Sequence, residues 1–133
     1  MRTPRLRSRW SADRVARRAF YAAYMNSKAW QDKRRAWYAR WVTLTGSTPV
    51  CLVCGRNWSV RSGHLHHLTY QRLGSEEPAD LMPLCGRDHA RLHDVLDASS
   101  SWRRLGREAA TVGIIEMLRR SECAVHNGEE LAT

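Results

Sequence analysis

The sequence predicts an α+β fold in which two short strands and a helix gather metal ligands, with longer helices before and after them. Three observations predict it. Three of the four cysteines and five of the six histidines fall within residues 51–93, in groups at metal-ligand spacing. The flanking segments repeat apolar residues at the period of a helix. Between the ligand groups, residues 63–68 and 81–84 suit strands joined by a polar loop that contains Gly74 and Pro78.

At 133 residues, 43% hydrophobic and 26% charged, the chain has the size and composition of one soluble domain with helical extensions. No run approaches the ~18 apolar residues of a membrane span, and the start has no apolar signal centre, so an unsecreted, cytoplasmic protein is expected. The arginine-rich, acid-poor beginning could pass for a transit peptide, but little of it is amphipathic. Four cysteines, two of them as a Cys-x2-Cys pair, then read as thiolate ligands in a reducing compartment. A thioredoxin-like pair should open a helix after a buried strand, whereas this one follows a helix stop and leads into a turn.

Charge is unevenly placed. Residues 1–41 hold 12 Lys or Arg against Asp13 and Asp32, so the whole excess of +9 resides in the first third. Such a block is the footprint of phosphate-backbone binding, and Arg14, Arg17, Arg18, Lys33, Arg34 and Arg35 are its candidates, with Arg72 further on. A solvated helix face is the plainer alternative.

Taken in order, residues 1–47 are expected to form a basic arm and two helices. Ser11 caps a first helix over 12–24, with Val15, Ala16, Ala19, Phe20 and Ala23 on one side. After a break at Met25, Asn26 and Ser27, a second helix carries Trp30, Trp37, Trp41 and Leu44 on one face until Gly46 stops it. Those tryptophans are expected to pack on the metal core rather than stack on bases. Residues 48–98 form that core: Cys51 and Cys54 with Gly55 as a knuckle, a strand over 63–68, a loop over 70–80, an edge strand over 81–84 and a helix over 87–96. On that helix His89 and His93 stand one turn apart and share a face. Residues 99–133 give a serine linker, a helix over 102–120 with Trp102, Leu105, Ala109, Val112, Ile115 and Leu118 on one face, and a frayed polar tail. Gly106 and Gly113 predict either a close approach or a bend in it.

Strand, loop, strand, helix, with a histidine pair closing the first strand and His-x3-His on the helix, is the layout of a ββα-metal (His-Me finger) site. The stretch His66-His67-Leu68-Thr69-Tyr70-Gln71-Arg72-Leu73-Gly74-Ser75-Glu76, then Asp80-Leu81-Met82-Pro83-Leu84-Cys85, then His89 and His93, resembles the HNH endonucleases. It resembles the branch that reads His-His-x-Thr-Tyr-x-Arg-x-Gly-x-Glu before Asp-Leu and Leu-Cys. Tyr24, Ser27, Trp30 and Arg34 extend a fainter likeness upstream.

The resemblance implies His67 as general base and His66, His89 and His93 as ligands of a catalytic divalent ion. Adjacent strand residues point to opposite sides, which suits that division. Three imidazoles favour Zn2+, Mn2+ or Ni2+ over Mg2+. Asp80 stands where the family's name has its asparagine, and is expected to tie the loop to the strand and orient the base, taking a hydrogen bond from its imidazole. Relatives carry two Cys-x2-Cys pairs around a structural Zn2+; here Cys51, Cys54 and Cys85 are joined by Asp88 in place of the fourth thiolate. Cys123 and His64 are alternatives for that place, and a vacant site is another.

The resemblance further implies a nuclease that nicks or cuts DNA, encoded by a phage or mobile element, with a terminase or similar protein as partner, acting as monomer or homodimer. The rival class is a non-catalytic zinc-containing nucleic-acid-binding or assembly module. The target sequence, DNA against RNA, and the host process are not legible in the chain.

Overall fold

The computed structural model describes the backbone of residues 4–130 and the side chains of residues 13–123. It contains helices α1 (Pro4–Met25) and α2 (Lys28–Thr45), strand β1 (His64–His67), a 3-10 turn (Pro78–Asp80), strand β2 (Leu81–Leu84), and helices α3 (Gly86–Ala98), α4 (Ser100–Arg104) and α5 (Arg107–Glu130). This is an α+β architecture with one antiparallel two-stranded sheet among the described residues.

The register pairs His64 with Leu84, Leu65 with Pro83, His66 with Met82 and His67 with Leu81. Because side chains alternate along a strand, Leu65, His67 and Leu81 share one face while His64, His66, Met82 and Leu84 share the other. Two apolar clusters follow that division. Tyr24, Trp30, Trp37 and Trp58 gather with Leu65 and Leu81. Cys51, Val53 and Leu84 gather with Leu92 and Leu96 of α3 and with Ala110, Ile114, Ile115 and Leu118 of α5.

The second helix begins and ends as its sequence dictates. Ser27 accepts a hydrogen bond from the Trp30 amide at 3.1 Å, and Gly46, at φ +73°, closes the helix in the left-handed region. Trp30 and Trp37 are buried, Trp41 is half-buried, and the expected face stops there, since Leu44 is exposed. Trp58, which the sequence did not single out, lies against Gly63. A Cβ there would come within 2.2 Å of its ring, and its indole donates to the His64 carbonyl at 2.7 Å.

Four expectations are corrected. The first helix starts at Pro4 rather than after Ser11, a start suited to proline, which needs no amide partner in the first turn. Its Val15 and Phe20 are exposed, because α1 meets the rest of the protein through its last turn, at Tyr21 and Tyr24. The helix expected over 102–120 is two helices: Gly106, at φ +85°, ends α4 and lets α5 start in a new phase. Leu105 and Val112 therefore face solvent, and Ala110, Thr111, Ile114, Ile115 and Leu118 are the buried set. Gly113 meets the other alternative, since a Cβ there would lie 2.5 Å from the Trp102 ring. The helix also continues to Glu130, where a frayed tail was expected.

Candidate metal centres and the histidine site

The knuckle is a tight turn. The Cys51 amide donates to the Arg56 carbonyl at 2.8 Å, the Gly55 amide to the Cys51 carbonyl at 2.9 Å, and Gly55 takes φ +75°. Cys85 caps the N-terminus of α3, which places Asp88 one turn in. Ligand atoms of Cys51, Cys54, Cys85 and Asp88 all lie within 4.8 Å of one another. One Asp88 oxygen stands 3.3 Å from the Cys51 sulfur and 3.2 Å from that of Cys85, while the other takes Arg91 at 3.0 Å. Among the candidates for the fourth place, Asp88 is the one in this group. Cys123 is exposed, and His64 turns to His89 instead.

Electrostatics suit a cation here. Burial pushes the Cys54 thiol up to about 12 and raises Cys85 as well. Burial also works to raise the Asp88 carboxyl, but hydrogen bonds from the cysteine thiols and Arg91 outweigh it and hold the group at about 2. A charged carboxylate among three thiols is a donor set that zinc fits, with the thiols deprotonating on binding.

On the other side of α3, His66, His89 and His93 offer nitrogens within 4.8 Å of one another. Burial, followed by the nearby Arg107 charge, drives His66 down to about 2; burial and the neighbouring His93 take His89 to about 4. Burial likewise lowers His93. All three are thus neutral imidazoles, the form that binds metal. His89 Nε2 and His93 Nε2 are 3.1 Å apart, and His66 Nδ1 is the one buried side-chain polar atom among the described residues with no hydrogen-bond partner. An unpartnered ring nitrogen on a histidine that clusters with two converging nitrogens fits a metal ion.

His67 lies on the opposite face, 2% exposed. Its ring stacks on Trp30 at 5.0 Å between centroids, with Tyr21 and Tyr70 beside it. His67 Nε2 meets Glu76 Oε2 at 2.9 Å, and Glu76 Oε1 accepts from the Tyr24 hydroxyl and the Gly74 amide, both at 2.8 Å. Burial lowers His67, only partly offset by Glu76, and the hydrogen bonds to Glu76 hold its carboxyl below the usual range against its own burial. The pair is therefore a neutral imidazole donating Nε2–H to a carboxylate.

This corrects the role expected of Asp80. Its carboxylate is paired with Arg72 and accepts the Glu77 amide at 2.9 Å, so it ties the loop down without touching the imidazole. The charge of Arg72 is thereby engaged within the protein. Lys33 and Arg34 are likewise turned inward, to the carbonyls of Glu76 and Gly63. Arg14, Arg17, Arg18 and Arg35 are exposed, and the first three line a groove with Phe20, Tyr21, Tyr70 and Leu73.

Glu76 closes the histidine-bearing motif of the sequence, yet nothing there gave it a role. Two further contacts come from α5: Thr111 Oγ1 lies 3.0 Å from His66 Nε2, and Arg107 donates to the His67 carbonyl at 2.8 Å. No periodicity or motif in the sequence pointed to either. Compared with known proteins, the chain matches no family model, no curated protein and no solved structure.

Proposed function

We propose that the chain is a metal-dependent endonuclease of the HNH kind that hydrolyses DNA phosphodiester bonds, with β1, β2 and α3 as its ββα-metal core. The observation that carries this reading is the pairing on β1: His66 belongs to a cluster of three neutral imidazoles, and His67 beside it is held by a buried carboxylate. His66, His89 and His93 would hold a divalent ion, which would supply Lewis acidity against the charge that builds on phosphate oxygens. Glu76 fixes the proton on His67 Nε2, so Nδ1 is the nitrogen that takes a proton from water; the hydroxide attacks phosphorus, the P–O3′ bond breaks, and the leaving oxygen takes a proton from solvent, giving 5′-phosphate and 3′-hydroxyl ends. Trp30 holds the ring plane. The groove of Arg14, Arg17 and Arg18 reaches Tyr21 and Tyr70, which border His67, and suits a phosphate backbone leading to the site. Cys51, Cys54, Cys85 and Asp88 would hold a structural zinc. One such site cuts one strand, and both strands require a dimer or two events. The resemblance alone supports a phage or mobile-element setting with a terminase among the partners.

One observation favours a second reading, a zinc-containing nucleic-acid-binding module without catalysis: His67 is 2% exposed, and a general base must meet water. Supercoiled plasmid incubated with EDTA or with added magnesium, manganese, nickel or zinc separates the two. Nicking that needs metal and disappears in His67→Ala, with DNA binding retained, is expected. Undiminished cutting by that variant refutes the assignment of the base, and shifted but uncut DNA under every metal favours the binding module.

A further inference from the structure

We infer that Thr111, on the C-terminal helix, is the positioning residue that selects the ligating nitrogen of His66. The inference rests on the reading that the three imidazoles hold a metal. His66 and Thr111 are both fully buried, 45 residues apart in sequence, and Nε2 meets the threonine hydroxyl at 3.0 Å. A neutral imidazole carries one proton. With Nε2–H donated to Oγ1, the lone pair is on Nδ1, which is the orphaned atom. Coordination of a metal ion would give that buried nitrogen the partner it lacks.

His89 follows the same rule. Its Nδ1 stands 3.0 Å from His64 Nδ1, while its Nε2 faces His93. In each case one ring nitrogen has a hydrogen-bonding neighbour outside the three-histidine cluster, the arrangement by which an outer partner fixes a ligand's tautomer and plane. For His66 that neighbour lies outside the strand–strand–helix segment. Ala110 and Ile114, both fully buried, lock the α5 turn that presents Thr111, and Arg107 one turn earlier holds the His67 carbonyl. The C-terminal helix is thus part of the metal centre.

The test uses the full chain with zinc already in the four-donor site. Cobalt(II) is titrated into the histidine site against a competing chelator, and followed by visible absorption that lacks the thiolate charge-transfer band. Thr111→Val, which keeps shape and removes the hydroxyl, is expected to weaken cobalt binding about 10–100-fold. Thr111→Ser should restore it. In the wild-type protein, long-range 1H–15N spectra of the zinc-loaded site should show His66 protonated at Nε2, a readout that does not depend on any variant folding. Wild-type affinity in the valine variant, or a proton on Nδ1, overturns the role of Thr111. A wild-type protein that takes up no cobalt beyond the four-donor site overturns the metal reading itself, and the inference with it.

Discussion

Replacing Glu76 with glutamine changes almost no volume and removes one charge, and its effect depends on the hydrogen bonds around the side chain. Oε1 accepts from two donors, the Tyr24 hydroxyl and the Gly74 amide. The amide hydrogen of Gly74 cannot turn away, so the glutamine must set its own oxygen there and aim its NH2 at His67 Nε2. The imidazole then has to accept at Nε2, and its proton moves to Nδ1, the nitrogen that should receive one from water. A base held in the wrong tautomer is lost, and a positioned base is worth about 10²–10⁴ in rate, or about 3–5 kcal/mol of barrier. Single-turnover nicking of supercoiled plasmid should fall by that factor in Glu76→Gln. Binding to the same DNA, measured by fluorescence anisotropy, should stay near wild type, while the thermal midpoint should fall, because the imidazole Nδ1–H and the second amide hydrogen of the glutamine are new donors that the wild-type hydrogen bonds do not serve. A glutamine variant that cuts within a few-fold of wild type, while His67→Ala is inert, would refute the tautomer argument.

Four further predictions concern the four-donor site and the groove. Asp88→Ala removes a ligand and leaves Arg91 and Arg87 facing only Glu122, so zinc affinity should drop by more than the roughly 10–100-fold typical of an outer partner, whereas Asp88→Cys should retain it. Chelator competition reads both, and unchanged affinity in the alanine variant would remove Asp88 from the ligand set. Structural zinc is worth about 10–16 kcal/mol in small zinc domains, comparable to the whole stability of a chain this size, so EDTA should unfold the protein, as followed by circular dichroism. Because buried thiols must ionise to bind, apparent affinity should fall as the pH is lowered. Replacing Arg14, Arg17 and Arg18 together by alanine should weaken duplex binding and flatten the slope of log K against log salt by about 0.9 for each phosphate no longer neutralised. An unchanged slope would take the groove off the DNA path.

Local signals were legible wherever one residue type decides the outcome. Ser27 and Gly46 bound α2, the knuckle turn needs Gly55, and the i, i+4 spacing puts His89 and His93 together. Asp88 was readable as a candidate because it stands where the resemblance places a fourth thiolate, and as the third residue of α3 it looks back at the cap residue Cys85. What failed were inferences across distance or phase. Whether Asp80 or Glu76 reaches His67 depends on how the loop over 70–80 folds back, and both acids are compatible with the spacing. A continuous period over 102–120 predicted Leu105 and Val112 inside, but one left-handed glycine between two helices shifts the phase and brings Thr111 in. Lys33 and Arg34 looked like phosphate contacts because sequence cannot show that carbonyls of the core stand within their reach.

The arrangement separates what must be rigid from what must be adaptable. α3 is gripped in its first turn by the four-donor group, and the next residue is His89, with His93 one turn on; fixing Cys85 and Asp88 therefore fixes the histidines as well. β1 is held on its His66 face by α5 through Thr111 and on its other face by Trp30 and Glu76. Loosening the four-donor site should consequently disturb the histidine cluster before it disturbs the Trp30–His67 stack, which belongs to the other apolar cluster. α1 is different, since it joins the rest through Tyr21 and Tyr24 while Arg14, Arg17 and Arg18 stay exposed. Its basic face can change without displacing His66, His67, His89 or His93, so on the proposed function nucleic-acid affinity and site geometry should be separable by mutation.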